Sequence, residues 1–539
     1  FRRVLFRSES ISGQINTELI KPINDIPFFL NAYGSTDSRF ELNTHFNTHL
    51  SDKWSSSLFL HGNTRTAKMD KNEDGFLDNP LAKQINILNR YQYYDAEKGW
   101  VSFINFRYMN DKKQTGQINF NPNKDRGTTN FWGSEINTER LDITTKLGYV
   151  FKDLPYQSIG FQNAFTTHNQ QSYFGLSQYN IKQNSYYSNL IFNSIINNTM
   201  NKFATGMNFT LDNYQELVTT QNWSRTDNSI GAFFEYTYDN SDNFSLILGG
   251  RIDNHNRLGT FVTPRLHLRY NPWAKAVVRF SAGRGKRSAN IFAESQSLFA
   301  SSRALSILDT NGKMYGLNPE IAWNYGTSFT QSFMLFGKSA DVTLDWYRTD
   351  FQNQVVVDVM QSPQQALFYN LKGKSFADSF QIEFNYEMVK NLRLRSAYKM
   401  YDVQTDYLSG TFQKPLQAKN RFFGNLEYET APRNNSQHWK FDFTYNWIGE
   451  QQLPNTQSNP ISNQLPNFSP AYSLMNTQIT RVFSPVFEVY VGGENIGNYT
   501  QSKAILGAEN PFGSTFDSSI VYAPVFGQMY YAGLRFKIK

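Results

Sequence analysis

Apolar and polar residues alternate with a period of two in one segment after another. Phe40, Leu42, Phe46 and Leu50 share one side of such a segment, while Glu41, Asn43, His45, Asn47 and His49 share the other. Leu141, Ile143, Leu147 and Tyr149 oppose Asp142, Thr144, Lys146 and Gly148 in the same way. Trp439, Phe441, Phe443, Tyr445 and Trp447 oppose Lys440, Asp442, Thr444 and Asn446. Strict alternation predicts strands with two unlike faces. The end of the chain repeats it three times, over Ser473–Phe483, Phe487–Tyr499 and Gln528–Lys539. In the last, Tyr530, Ala532, Leu534, Phe536 and Ile538 point one way, and Tyr531, Gly533, Arg535 and Lys537 the other. One short stretch, near Ala289 to Ala304, reads as helix.

The connections alternate as well. Short ones fall at Ser51–Lys53, Glu97–Lys98, Asp153–Tyr156, Asn197–Thr199, Asn240–Asn243, Pro272–Ala274, Gly337–Lys338, Val389–Asn391 and Ser484–Pro485, with Ala431–Gln437 slightly longer. Between them lie long polar connections centred near Asp74, Asn123, Gln178, Gln221, Leu305, Pro363, Phe412, Asn459 and Phe512. A sandwich in water has no reason to gather its long loops at one end. A transmembrane antiparallel β-barrel does, with short periplasmic turns and long extracellular loops. Counted this way, the chain supplies about 22 strands. Its last strand closes on a first strand near Phe28 to Tyr33. Trp54, Trp100, Tyr156, Trp273 and Trp439 stand beside short turns, where an interfacial aromatic girdle belongs.

Composition changes this picture little. Aromatics make up 16% of 539 residues, and no apolar run is long enough for a spanning helix. The mean hydropathy of -0.54 does not count against a barrel, whose apolar face is hidden in the alternation. The absence of cysteine excludes a disulfide framework, and a net charge of +7 is too mild for a nucleic-acid footprint. No nucleophile–base set, P-loop or GxSxG occurs, so an enzyme is not expected.

Three stretches carry a likeness to a known family. SGQINTELIKP (Ser12–Pro22) resembles the last strand of a plug domain leading into a barrel. TPRLHLRYNPW and VVRFSAGRGKRSANIFAES, within Thr263–Ser295, resemble a mid-barrel hairpin and its loop. EVYVGGENIGNYTQ and GQMYYAGLRFKIK resemble the final two strands. Together they resemble the TonB-dependent receptors of the outer membrane, in the form common in Bacteroidetes. The likeness implies residues 24–539 as barrel and residues 1–23 as the tail of a truncated plug; residues 1–7, basic and followed by no apolar core, read as foreign to it. It also implies uptake of a scarce nutrient, such as a ferric siderophore, another metal chelate or cobalamin, driven through the TonB–ExbB–ExbD complex. A passive pore, a surface binding protein and a glycan importer with a lipoprotein partner remain alternatives.

Candidate chemistry is confined to a few places. Asp70, Asn72, Asp74 and Asp78 place oxygens at alternate positions, with Gly75 sixth and the Phe76 carbonyl seventh, as in a calcium loop. Leu81 stands where the twelfth-position Glu of such a loop would be, so another loop would have to complete a Ca2+ shell. His45, His49 and His61 share a polar face, and His45 with His61 could hold a metal. Arg251, Arg265, Arg269, Lys275, Arg279, Arg393, Arg395 and Lys399 fall on inferred lumenal faces, where they would meet an anionic ligand or acidic residues of a plug. Phe292, Phe299, Tyr315, Phe368, Tyr369, Phe412 and Phe512 could line a ligand vestibule.

Overall fold

Twenty-two antiparallel strands close on themselves in the computed structural model, which describes residues 11, 18–240, 242–433 and 436–538. Each strand pairs with its neighbours in chain order. The last strand, Met529–Ile538, pairs with the first, Phe28–Ser35, from Phe28 opposite Ile538 to Ser35 opposite Tyr531. Closure leaves no edge with unpaired N–H and C=O groups, which is the condition for crossing a bilayer with strands.

The two faces sort as the alternation demands. Phe40, Leu42, Phe46, Ile252, Val262, Val491, Tyr530 and Ile538 are exposed on the outside, while His45, Arg251, Asp253 and Tyr490 are buried on the inside. The girdle is present at the short-turn end. Trp54 packs on Tyr93 at 5.2 Å, Trp100 on Tyr149 at 4.7 Å and Trp273 on Phe329 at 6.2 Å between ring centroids.

The seam between last and first strands has its own clasp. The Tyr490 hydroxyl, on the strand Phe487–Glu494, reaches across the last strand to bond the Asn31 Oδ1 of the first at 2.9 Å. It passes over Gly533, where a Cβ would lie 2.3 Å from the Tyr490 ring. Arg535 lies over that ring at 4.6 Å and pairs with Glu488 at 2.6 Å.

Two of the expected long loops are not loops. The chain turns at Gly175–Leu176 and Thr219–Thr220, and the polar residues around Gln178 and Gln221 continue the strands Ser158–Phe174, Ser177–Ile196, Asn198–Val218 and Gln221–Asp239. A strand needs about 10 residues to cross a bilayer, so Asn198–Val218, with 21, projects far beyond it. Outside the membrane both faces meet water, so the alternation fades and the sequence reads as coil. Gly175, with φ of +58°, makes the first of these turns possible. The expected helix resolves into Ile291–Glu294 and a 3-10 turn over Gln296–Ala300. The stretch likened to a plug strand lies mostly outside the described residues; Glu18 to Pro27 enter along the inner wall without joining the barrel.

Candidate functional site

At the long-loop end, residues 66–80, 117–132, 288–319, 354–374 and 495–528 pack into a folded cap. Ala304–Ile307 pairs parallel with Gln365–Phe368, and Val355–Asp358 pairs antiparallel with Leu367–Asn370, forming a three-stranded sheet of loop origin. Under it lies an aromatic core. Phe76 stacks on Phe516 at 6.0 Å, Tyr179 on Phe299 at 5.1 Å, and Phe292 meets Phe368 edge-on at 6.1 Å. The aromatics expected to line a ligand vestibule are drawn into the cap's packing. Phe292, Phe299, Tyr315, Phe368 and Tyr369 are buried, and Phe412 and Phe512 pack partly buried against the same clusters. Rings this large lose too much by staying in water when several loops can bury them together.

Buried charges pin the cap. Arg303 donates from Nε to Asp517 Oδ2 at 2.9 Å and from Nη1 to the Ser362 carbonyl at 2.8 Å, joining three loops. At the rim, Glu216 accepts from the hydroxyls of Tyr179 and Tyr315 and pairs with Arg225, which also holds Asp227 at 3.0 Å. Between this hub and the loop 288–319 a cavity of about 750 Å³ opens, lined by Trp223, Phe292, Phe299, Leu305, Asp309 and Tyr315. Apolar walls with a few fixed polar groups suit a small-molecule ligand.

The lumenal wall below is polar and mostly self-satisfied. Arg251 is buried against Asp253 at 2.7 Å and also donates to Asn208. A Cβ on Gly231 would lie 2.2 Å from the Asp253 carboxylate, so glycine there leaves room for the pair. Arg395 pairs with Glu383 at 3.1 Å, and Arg393 stands between Glu387 and Glu427 in register. Arg265 lies with His267 and Lys399 on the wall of an inner cavity. Arg269 and Arg279 are directly opposite each other on adjacent strands, both exposed, flanked by Ser245 and Ser328. Lys275 is exposed in the short turn beside them. Like charges facing each other with no acid between them attract an anionic partner.

The histidines are engaged separately. His45 pairs with Asp25 at 2.9 Å and stacks on Phe29. His61 bonds Asn43 at 2.6 Å and Gln84 at 3.0 Å, and His49 bonds Ser55 at 3.0 Å. Each of the three histidines thus has its own partners, and among the described residues none belongs to a group of three side chains that could hold a metal ion.

The acidic loop is compact. Asp70 accepts from the backbone N–H of Asp74 at 3.1 Å and of Gly75 at 2.9 Å. Asp74 accepts from Phe76 N–H and from the Asn72 amide, both at 2.9 Å, and Asp78 from Lys71 N–H at 2.8 Å. Burial, followed by the charge of Asp70, raises the carboxyl pKa of both Asp74 and Asp78. Asp78 Oδ1 is buried without a hydrogen-bond partner. Among the described residues no three His, Asp or Glu side chains are grouped to hold one ion.

A closed barrel of this size, with a polar lumen, an apolar outer face and a folded loop cap, defines a receptor-type barrel of the outer membrane. The chain belongs to the TonB dependent receptor-like, beta-barrel family, whose profile matches residues 21–496. Family and fold are those of receptors and transporters rather than enzymes. Among solved structures, the FpvAI–pyocin S2 complex aligns with a TM-score of 0.72 and 11% identity, over 96% of this chain and 70% of that one. The siderophore receptor PirA from Acinetobacter baumannii aligns with a TM-score of 0.70 and 14% identity, over 97% and 81%. A ferric enterobactin receptor (PfeA) mutant from Pseudomonas aeruginosa aligns with a TM-score of 0.68 and 11% identity, over 94% and 80%. At such identities the likeness is one of fold. No curated protein sequence matches this chain.

Proposed function

We propose that this chain is the barrel of an outer-membrane importer for a scarce nutrient, with a ferric siderophore or similar metal chelate preferred over cobalamin. Family membership and the siderophore receptors among its structural neighbours support this reading. The observation that carries it is the cap. A passive pore has no use for loops fused over its mouth around a common core, whereas a receptor needs a shaped external site and a route that opens only when driven. The cavity beside Trp223, Phe292 and Tyr315 is the proposed site of first capture. Arg265, Arg269, Lys275, Arg279 and Arg393 are proposed to meet either the anionic ligand in transit or acidic residues of a lumen-filling plug domain. Energy would come through the TonB–ExbB–ExbD complex.

We also propose Ca2+ as a structural ion of the 70–78 loop. Asp70, Asn72, Asp74, the Phe76 carbonyl and Asp78 would turn toward it and relieve the crowding of three carboxylates.

The test of transport is uptake of labelled ferric siderophores, haem and cobalamin by cells with and without the protein. Expected is energised uptake of one ferric siderophore, abolished by a protonophore. Absence of binding to every ferric chelate, with normal growth of the deletion strain under iron limitation, would sink the iron reading.

A further inference from the structure

We propose, on the reading of the cap cavity as the site of first capture, that it selects a ferric chelate with an uncharged metal core and a protonated amine, and disfavours multiply charged anions. Two charged side chains lie on its lining, Arg303 and Asp309. The guanidinium of Arg303 is already answered. It donates to Asp517 at 2.9 Å and to the carbonyls of Ser362 and Gln365 at 2.8 Å and 3.3 Å, and its side chain is 1% exposed. Arg225, in the hub beside the cavity, is held in the same way by Glu216 and Asp227. Asp309 differs. It is half-buried, and one oxygen alone is engaged, Oδ2 accepting from the backbone N–H of Asn370 at 2.6 Å. No basic side chain pairs with it among the described residues; Lys313, on the same loop, is exposed and makes no ion pair with it.

The rest of the lining suits a cation better than an anion. Trp223 is half-buried, held edge-on by Tyr315 at 5.4 Å and tilted against Phe292 at 6.3 Å between ring centroids. The face of an indole ring attracts an ammonium group and repels an anion. The mouth adds no positive charge, since its exposed residues Thr219, Thr220, Gln221 and Thr310 are neutral. Ferric ion held by three hydroxamates is uncharged, whereas three catecholates leave the complex triply negative. Beside an unanswered carboxylate in a half-enclosed site, the second is repelled, and an ammonium tethered to the first is attracted. Such a cargo leaves the lumenal arginines to the acidic residues of a plug.

Titration calorimetry on the purified full chain in detergent micelles tests this with three probes. Ferrioxamine B has an uncharged trishydroxamate core and one ammonium group. Its N-acetyl derivative keeps the core and loses the charge, and ferric enterobactin is a triply negative tris-catecholate. Ferrioxamine B is expected to bind about tenfold more tightly than the acetylated form, with ferric enterobactin the weakest of the three. Asp309→Asn keeps an oxygen for the Asn370 N–H. It should shrink the preference for the ammonium to within about twofold and leave the acetylated form unchanged. Trp223→Leu should weaken ferrioxamine B by about fivefold and the acetylated form by less. Heat-modifiable mobility in a gel confirms that each variant is a closed barrel. Equal binding of the two hydroxamates, tightest binding of ferric enterobactin, binding of none of the three, or a preference that survives Asp309→Asn overturns the selectivity. Energised uptake of some other ferric chelate, with no binding of ferrioxamine B, strikes the selectivity and spares the import reading. A preference for ferrioxamine B without energised uptake of any chelate strikes import and spares the selectivity.

Discussion

Arg303 is where the cap should be most easily unfastened. Its side chain is 1% exposed and that of its partner Asp517 is 6%. Through this one guanidinium the loop 288–319 holds the loop 495–528 and the Ser362 and Gln365 carbonyls of a third loop. Removing one member of a buried ion pair costs about 3–5 kcal/mol, because the other stays behind uncompensated. Asp517 keeps the backbone and hydroxyl bonds of Ser519, at 2.8 Å and 2.6 Å, so the lower end of that range applies. Arg303→Ala should therefore weaken the cap by about 3 kcal/mol, roughly a hundredfold in its local opening equilibrium. The barrel ladder does not depend on this contact. Native-state hydrogen exchange, read by mass spectrometry, separates the two. Peptides from 288–319, 354–374 and 495–528 should exchange about a hundredfold faster, and peptides from Leu81–Asp95 and Trp100–Gly116 at their parental rate. Unchanged exchange in the three loops would refute the keystone role. Uniform acceleration throughout the chain would show that cap and barrel form one cooperative unit.

Three further outcomes are expected. Gly533→Ala forces a Cβ against the Tyr490 ring and should destabilise the closed barrel by about 1–3 kcal/mol, seen as a lower temperature of gel-mobility change; an unchanged transition would remove the seam clasp. Calcium should protect the 66–80 loop from proteolysis, with the effect lost in Asp74→Asn; equal cleavage with calcium and with chelator would exclude the ion. Without calcium the pH dependence has the opposite sign. The folded loop raises the Asp74 and Asp78 pKa values, so their protonated forms favour it. Its protection should fall as pH rises from the ordinary carboxylate range through the elevated values, and calcium, which binds the ionised forms, should reverse this.

What the sequence determined by itself was the barrel. Lipid outside and a polar lumen inside impose period two on each spanning strand, and that period can be read without neighbours. Phe40 and Leu42 against Glu41 and Asn43, or Tyr530 and Leu534 against Tyr531 and Arg535, already name their faces. Strand number and closure near Phe28 follow from counting such segments. The tertiary structure alone decided the extent of the strands beyond the bilayer, since water on both faces erases the alternation around Gln178 and Gln221. It alone decided the cap, because Phe76, Phe299, Phe368 and Phe516 come from loops far apart in the chain and share no period. It also decided what each inward-facing charge meets. Arg251 and Arg90 look alike in sequence, each an inward arginine on a strand. One meets Asp253 two residues on, and the other lies over the ring of Phe103 on the next strand. Only the packing of the strands shows which group each guanidinium meets.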